Sequence, residues 1–397
     1  RVGEKGEGKF ERCSWDEAMD AIASKLLEQK EQYGAKSYGV LSPQFYAVLG
    51  TMGRRFLNVH GSPNYMHSAI CNSQRMFSRL VTIGGPKHAQ ATDTAPGQLG
   101  KTKLLVVWGY NSENSAINQG NPYARLNAIE KGLKVIDIRP MQDGLASKAD
   151  IWVPVRPGTD GALAMAILSV IIGEDLYDHD FVENWCNGFD KLAEHVKQFT
   201  PEWASEITGV PVEQIYQISR MMGSIKPMAL MDGNGFGDQT NDGTWTAVSI
   251  FLIQAITGNL DIPGGNGAGL ELPAPMFELS DMGWFLPTFH EFDKMEATPE
   301  DVEHGWQPGV SKLLCPEFPR DFYKDFCYSL SSCNPRVIEA IDSDHPKKPR
   351  VIFSHATNSL SCLRQPKRTA ECLSKLDFHF TMDTNWNDTC NYCDIVL

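Results

Sequence analysis

Four polar endings carry the first hint of chemistry, because each follows an apolar run and each has a counterpart elsewhere in the chain. Leu104 to Gly109 ends in Tyr110-Asn111-Ser112, and Lys134 to Ile136 ends in Asp137-Ile138-Arg139, with Ala149-Asp150-Ile151-Trp152-Val153 after it. Later, Val351-Ile352-Phe353 leads to Thr357-Asn358-Ser359, Phe378 to Met382 ends in Asp383, and Cys393-Asp394-Ile395-Val396-Leu397 follows. Asn111 and Asp137 stand 26 residues apart and Asn358 and Asp383 stand 25 apart, while Asp137 to Asp150 is 13 and Asp383 to Asp394 is 11. One grammar used twice implies two related nucleotide-fold units. In such sheets ligands bind outside the carboxyl ends of the strands, where all four residues should sit. An Asn or Asp in that place can also do no more than start a turn. A matched quartet points instead to binding.

A second constellation is Val153-Pro154-Val155-Arg156 running into Pro157-Gly158-Thr159-Asp160-Gly161 and then an apolar segment from Ala162. It reads as strand, tight loop and helix. Backbone N–H groups of such a loop can hold an anion, Gly158 lets the chain approach a ligand, and Asp160 can accept the two N–H groups of a guanine edge. The competing reading is that Asp160 or Thr159 only caps the helix. Two further glycine-rich corners, Asp232-Gly233-Asn234-Gly235-Phe236-Gly237 and Gly258-Asn259 with Pro263-Gly264-Gly265, lack the spacing of a dinucleotide fingerprint or a P-loop. Ordinary NAD-type or ATP-type binding is therefore not supported, and turn-making and ligand contact stay equally open there.

The elements that must position these residues alternate between strand and helix. Ser14-Trp15-Asp16-Glu17 forms a capping box. Trp15, Ala18, Ile22 and Leu26 follow at helical spacing until the pattern fades near Gly34, and Tyr38 to Leu41 reads as a strand. Continued alternation predicts an α/β fold with mostly parallel sheets. With 397 residues, two domains or one domain plus a large insertion are expected. A formal charge of −13, with no basic run longer than Lys347-Lys348, argues against nucleic acid as a partner. The longest apolar run, Ala162 to Ile172, falls short of the roughly 20 residues that cross a bilayer, so it reads as a buried helix and no membrane span is expected in this chain.

Ten cysteines lack the regular spacing of a disulfide framework, so reduced thiols are expected. Cys390 and Cys393 form the one C-x-x-C, and without a second the four-cysteine cage of a structural metal is not expected. The chain opens on Arg1-Val2-Gly3 and stops at Asp394-Ile395-Val396-Leu397, inside what reads as a buried strand. The expectation is a piece of a longer protein, whose location the sequence leaves unknown.

Taken in order, several segments resemble the molybdopterin oxidoreductases of the dimethyl sulfoxide reductase family. Arg1-Val2-Gly3, Lys9-Phe10-Glu11-Arg12, Ser14-Trp15-Asp16-Glu17-Ala18 and Gly61-Ser62-Pro63-Asn64 leading to Cys71 are similar to the part that follows that family's iron–sulfur domain. Asp137-Ile138-Arg139-Pro140, Ala149-Asp150, the Arg156-to-Leu163 loop and Thr257-Gly258-Asn259 through Pro263-Gly264-Gly265 continue the family order over nearly the whole chain. The resemblance implies two pseudo-symmetric, Rossmann-like domains of the formate dehydrogenase and dimethyl sulfoxide reductase type. The expected boundaries are 12–67 plus 268–397 for a discontinuous domain and 68–267 for the one inserted in it. Between them it implies a bis(molybdopterin guanine dinucleotide) with molybdenum or tungsten. Asn111, Asp137, Arg139, Gly158 and Asp160 would hold one guanine dinucleotide, Asn358 and Asp383 the other, and Gln239 matches a position near the pterin.

By the same resemblance Cys71 is the metal ligand, a soft thiolate suited to either metal, where a buried free cysteine would otherwise be the usual reading. His67 would face the substrate or the metal's surroundings, the alternative being a packing histidine. A four-iron four-sulfur cluster is expected in a preceding part, and a carboxy-terminal domain that closes over the cofactor lies outside this chain. Alanine is more usual in the family where Cys390 and Cys393 stand. Phe277 to Trp306, aromatic and irregular, is read as an excursion that lines a substrate funnel. The His67-to-Cys71 spacing resembles the thiosulfate and polysulfide reductase branch, which implies a reductase of a small-molecule substrate fed by an iron–sulfur subunit. The alternatives are an acetylene hydratase, a phenol transhydroxylase or a catechol dehydroxylase, or a non-catalytic electron-transfer subunit of the same fold.

Overall fold

Ser14 starts the first helix, α1 (Trp15–Tyr33), through a reciprocal pair: Glu17 N donates to the Ser14 hydroxyl at 3.2 Å and Ser14 N donates to the Glu17 carboxylate at 2.7 Å. Ala18, Ile22 and Leu26 form its buried stripe, which Gln29 extends. Trp15 departs from the expected pattern and is 66% exposed. At the first helical position its side chain tilts back off the end of the helix instead of onto the sheet.

The protein, a computed structural model, is described over residues 1–42, 53, 56–57, 59–62, 64–67, 73–84, 88–89, 101–111, 122–142, 144–238, 240, 242–267, 332–333, 338, 341–342, 349–363 and 365–397. The stretch Phe277 to Trp306 lies outside them. The chain divides into two compact units, Arg1–Ile70 with Leu272–Leu397 and Cys71–Glu271. Among the described residues the strands are β1 (Tyr38–Ser42), β2 (Asn64–His67), β3 (His88–Ala89), β4 (Leu104–Trp108), β5 (Lys134–Ile138), β6 (Ile151–Val153), β7 (Met228–Asp232), β8 (Asn266–Gly267), β9 (Ser332–Cys333), β10 (Val351–His355), β11 (Phe378–Met382) and β12 (Ile395–Val396). The discontinuous unit holds a parallel sheet in the order β12-β11-β10-β1-β2-β9. The other holds β6-β5-β4-β7, also parallel, and a small antiparallel pair, β3-β8.

The quartets β6-β5-β4-β7 and β12-β11-β10-β1 are the same construction. Leu104 pairs with Lys134 and Met228, as Val351 pairs with Phe378 and Tyr38, and Ile136 pairs with Ile151 as Phe380 does with Ile395. Even the exits agree: Gly109 N donates to Ile138 O and Arg139 N to Val153 O, as Ala356 N donates to Met382 O and Asp383 N to Leu397 O. This register corrects one part of the expected repeat. Asp383 corresponds to Arg139, whereas Asp137 corresponds to Thr381, because Asp137 lies inside its strand opposite Val107 and Trp152 while Asp383 follows its strand. Asn111 and Asn358 do correspond, each three residues beyond the last residue of its strand, Trp108 or His355.

Both faces of each sheet are covered, as parallel sheets require. Leu104, Val106 and Trp108 enter one core with the helices Asp160–Gly173 and Gly243–Ile256, while Leu105 and Val107 enter another with Leu133, Val135 and Met231. In the discontinuous unit Val40, Val351, Phe378 and Phe380 pack on Ile22 and Leu26 of α1, and Leu41 and Ile352 face Leu363, Cys372 and Leu373. Strand β12 is half-buried instead of buried, since it is the edge of its sheet and pairs on one side only. Among the described residues no helix is long and apolar enough to cross a membrane.

Among the helices of the inserted unit are α2 (Ser73–Ile83), α3 (Asp160–Gly173) and α4 (Gly243–Ile256). The apolar run of α3 is a buried helix, with Leu163, Ala166, Ile167 and Ile171 fully enclosed, and α4 packs on both α2 and α3. Charge docks α2. Arg75 and Arg79, one turn apart, both reach the Asp232 carboxylate at the end of β7, and Arg75 also donates to Asp232 O at 2.9 Å and to the Asn234 side chain. Burial would raise the Asp232 carboxyl, but the Arg79 and Arg75 guanidiniums outweigh it and hold the group at about 2. Because the folded value is depressed, this contribution is complete above an unfolded value of about 3.9 and is lost as pH falls towards the folded one. Asp232→Asn leaves two buried guanidiniums facing a neutral amide and should cost about 3–5 kcal/mol in denaturant melts at pH 7. The difference from wild type should shrink as pH drops from 4 towards 2. A variant as stable as wild type, or a gap that stays constant across that range, would contradict the assignment.

Candidate functional site

At the carboxyl edge of β4 to β7, Trp108 ends its strand with the indole turned to the loop before α3. Its Nε1 donates to Asp160 Oδ1 at 2.8 Å, and both side chains are buried. Burial pushes the Asp160 carboxyl up, and the Trp108 hydrogen bond offsets part of that push. Asp160 is the first residue of α3 and its carboxylate also accepts its own backbone N–H, whereas Thr159 makes no capping bond and its hydroxyl donates to Arg156 O at 2.7 Å. Gly158 has φ +83° and its missing Cβ would meet nothing nearer than 3.9 Å, so the loop combines a left-handed turn with open space above it. Gly158 and Thr159 border a cleft of about 900 Å³ whose wall includes His195, Phe199, Asp242 and Trp245; Asp160 is not part of that wall.

Asp137 and Arg139 are buried at the end of β5, with Arg139 Nε 3.0 Å from Asp137 Oδ1. Trp152 Nε1 donates to Arg139 O at 2.9 Å and fixes the turn. Asn111 lies half-buried beyond β4. The glycines of the next corner serve packing: a Cβ on Gly233 would stand 2.0 Å from Gly109 O, and Gly235 N donates to that same oxygen. Close crossing of two backbones accounts for glycine at Gly233 and Gly235. Arg156 is also structural, its Nη1 donating to Ile207 O at 2.8 Å.

The corresponding edge of the discontinuous unit is built from β10 and β11. Asn358 Oδ1 accepts from Thr389 Oγ1 at 2.9 Å and its Nδ2 donates to Ser361 at 3.0 Å. Asp383 is half-buried and accepts from Thr384 N at 2.7 Å and from Asn387 Nδ2 at 2.9 Å. The turn chemistry that such residues often perform is therefore present at both, and a ligand would engage groups that already shape their own loops. His67 ends β2, paired with Ser42 and Cys333 in the sheet. Cys71 and Gln239 lie outside the described residues. Thus the structure gathers Asn111, Asp137, Arg139, Gly158 and Asp160 at one sheet edge and Asn358 and Asp383 at the other.

Residues that spacing alone did not single out complete the picture. Trp108 orients Asp160, and the signal was an indole N–H at the end of an otherwise apolar strand, which demands an acceptor when buried. His379 sits inside β11 with Nε2 2.8 Å from Ser354 Oγ and Nδ1 3.5 Å from Cys393 Sγ, so Cys393 of the C-x-x-C is a core thiol beside a core histidine. Burial holds His379 down at about 3 and pushes the Cys393 thiol up, which keeps both neutral.

The chain matches the family model for molybdopterin oxidoreductases over residues 1–397. It is 33% identical to the dimethyl sulfoxide reductase DmsA of Escherichia coli (strain K12), over 68% of this chain and 36% of that protein. It is 31% identical to the thiosulfate reductase molybdopterin-containing subunit PhsA of Salmonella typhimurium, over 67% of this chain and 34% of that protein. Among solved structures, acetylene hydratase from Pelobacter acetylenicus superposes with a TM-score of 0.74 at 27% identity, over 100% of this chain and 54% of that one. The chain thus spans about a third to a half of the length of these relatives. With the family model matched from end to end and relatives above 30% identity over two thirds of it, this chain is a member of the molybdopterin oxidoreductase family.

Proposed function

We propose that this chain binds the two guanine dinucleotide arms of a bis(molybdopterin guanine dinucleotide) carrying molybdenum or tungsten, one arm at the carboxyl edge of each unit's sheet. The observation that carries this is the duplicated four-strand edge, in which Asn111 and Asn358 occupy the same position of the same construction. Asp160 takes the guanine edge in the inserted unit: Trp108 occupies one carboxylate oxygen and fixes the plane in which the group meets the base. Gly158 admits the nucleotide backbone, while Asn111, Asp137 and Arg139 hold the sugar and phosphate side. Asn358 and Asp383 do the equivalent work in the discontinuous unit. Gln239 lies by the pterin, Cys71 gives the metal its protein thiolate, and His67 faces the substrate.

When bound, the group supplies two-electron chemistry coupled to transfer of an oxygen or sulfur atom. The protein's own share is to fix both arms, to exclude water and to orient the substrate. The His67-to-Cys71 spacing and the similarity to a thiosulfate reductase subunit favour a thiosulfate or polysulfide reductase that takes its electrons through an iron–sulfur subunit and a four-iron four-sulfur cluster. A second reading, acetylene hydration without net redox change, is favoured by the superposition on acetylene hydratase over the whole chain.

One measurement tests the metal ligand and a second separates the two reactions. In the protein expressed at its natural length in a host that assembles the cofactor, Cys71→Ala should lower molybdenum or tungsten by elemental analysis at least about tenfold, in line with loss of a primary ligand. Undiminished metal would remove Cys71 from the site. Reduced viologen should be oxidised on addition of thiosulfate or polysulfide. If the dye stays reduced with both while acetylene is consumed to acetaldehyde, the hydratase reading replaces the reductase.

A further inference from the structure

His355 ends β10 at 3% exposed, and among the described residues neither of its ring nitrogens has a hydrogen-bond partner. Buried polar atoms in native proteins are nearly always paired, so such a group needs an explanation. The same sheet shows how the alternative looks. His379, on the neighbouring strand and equally buried, uses one nitrogen on Ser354 and the other on Cys393.

The repeat indicates what His355 is placed for. Its counterpart is Trp108: each ends its strand, each stands three residues before the paired asparagines, and Trp108 pairs with Ile138 as His355 pairs with Met382. In the inserted unit the ring N–H at this position is committed to the Asp160 carboxylate. In the discontinuous unit the ring at this position meets no acceptor among the described residues. The backbone after it is kept in the same form at a cost, since Ala356 adopts φ 50° where the corresponding Gly109 has φ 62°. A non-glycine residue held in the left-handed region marks a local geometry that the surroundings enforce, and such residues cluster at ligand sites. Beyond the Leu41–Ser354 pair the next residue of β1 is Ser42, which pairs in turn with His67, so His355 stands at the same carboxyl rim as the histidine assigned to the substrate.

We infer that His355 is a positioning residue for the dinucleotide arm bound by the discontinuous unit, its ring N–H donating to an oxygen of that arm where Trp108 donates to a protein carboxylate. This rests on the cofactor reading given above. Burial holds the ring in its neutral form, with one donor and one acceptor nitrogen, which suits a hydrogen bond rather than an ion pair.

A polar ring placed for the dinucleotide should weaken the empty protein and strengthen the filled one. Full-length protein would be prepared both in a host that cannot make the pterin dinucleotide and in one that can. His355→Leu should raise the melting midpoint of the cofactor-free protein by about 2–4 °C. In loaded protein, after exhaustive gel filtration, the same variant should release about half as much GMP on acid hydrolysis as wild type. His355→Gln restores an N–H donor and should return GMP to near the wild-type level. Wild-type GMP content in the leucine variant, or a cofactor-free leucine variant that melts lower or fails to fold, overturns the inference, the latter because the ring would then be part of the packing. If wild type itself releases no GMP, the cofactor reading fails and this inference falls with it; GMP present in wild type and unchanged in the variant overturns this inference alone.

Discussion

In both sheets one aspartate ties an edge strand to its neighbour by taking a backbone N–H from it. Asp150 Oδ2 accepts from Val135 N at 2.8 Å and Asp394 Oδ2 accepts from His379 N at 2.8 Å. Parallel strands buried on both faces have no alternation of polar and apolar residues to fix their register, so a slip would cost little in the core. A carboxylate that reaches one particular amide removes that freedom. With the edge strand so fixed, Arg139 N donates to Val153 O and Asp383 N to Leu397 O where β5 and β11 end at the rim. Lys134 in one unit, and Arg1 and Lys5 in the other, bring positive charge to these carboxylates.

The same sheets concentrate polar chemistry at their carboxyl edges. The interior of β4 is apolar along its whole length, and the first side chain able to form a hydrogen bond is the Trp108 indole. A buried N–H there must find an acceptor, and it finds the carboxylate that the loop Arg156–Gly161 delivers. Glycine allows that delivery at Gly158, through its left-handed turn, and at Gly233, where the strand-end loops cross with no room for a Cβ. The ion-paired cluster of Arg75, Arg79 and Asp232 then fastens α2, the helix that follows residue 71, to the end of β7. Position at the rim is thus held by charge and hydrogen bonding, while the apolar layers beneath hold the strands.

Much of this was written in the sequence where the signal is local. The Ser14–Glu17 box, the buried helix from Asp160 and the individual strands of the repeat all depend on residues near one another, and the family order of motifs binds them together. What spacing misjudged was one correspondence. Asp137 was matched to Asp383, but the counterpart of Asp383 is Arg139, and the distance from Arg139 to Asp150 equals that from Asp383 to Asp394 at 11 residues. Matching by residue type concealed an identity of spacing. The Arg75–Asp232 contact spans 157 positions and has no periodic trace, and the packing role of Gly233 depends on a crossing with Gly109 that only the folded chain creates.

The central claim is that two equivalent sheet edges each hold one guanine dinucleotide. Its most direct test is the stoichiometry of GMP to metal released from the purified, loaded, full-length protein and from its Asp160→Ala variant. The account predicts two GMP per metal in wild type, and a fall to about one in the variant because only the inserted unit's edge is impaired. One GMP or none per metal in wild type, or two retained when Asp160 is removed, would contradict it.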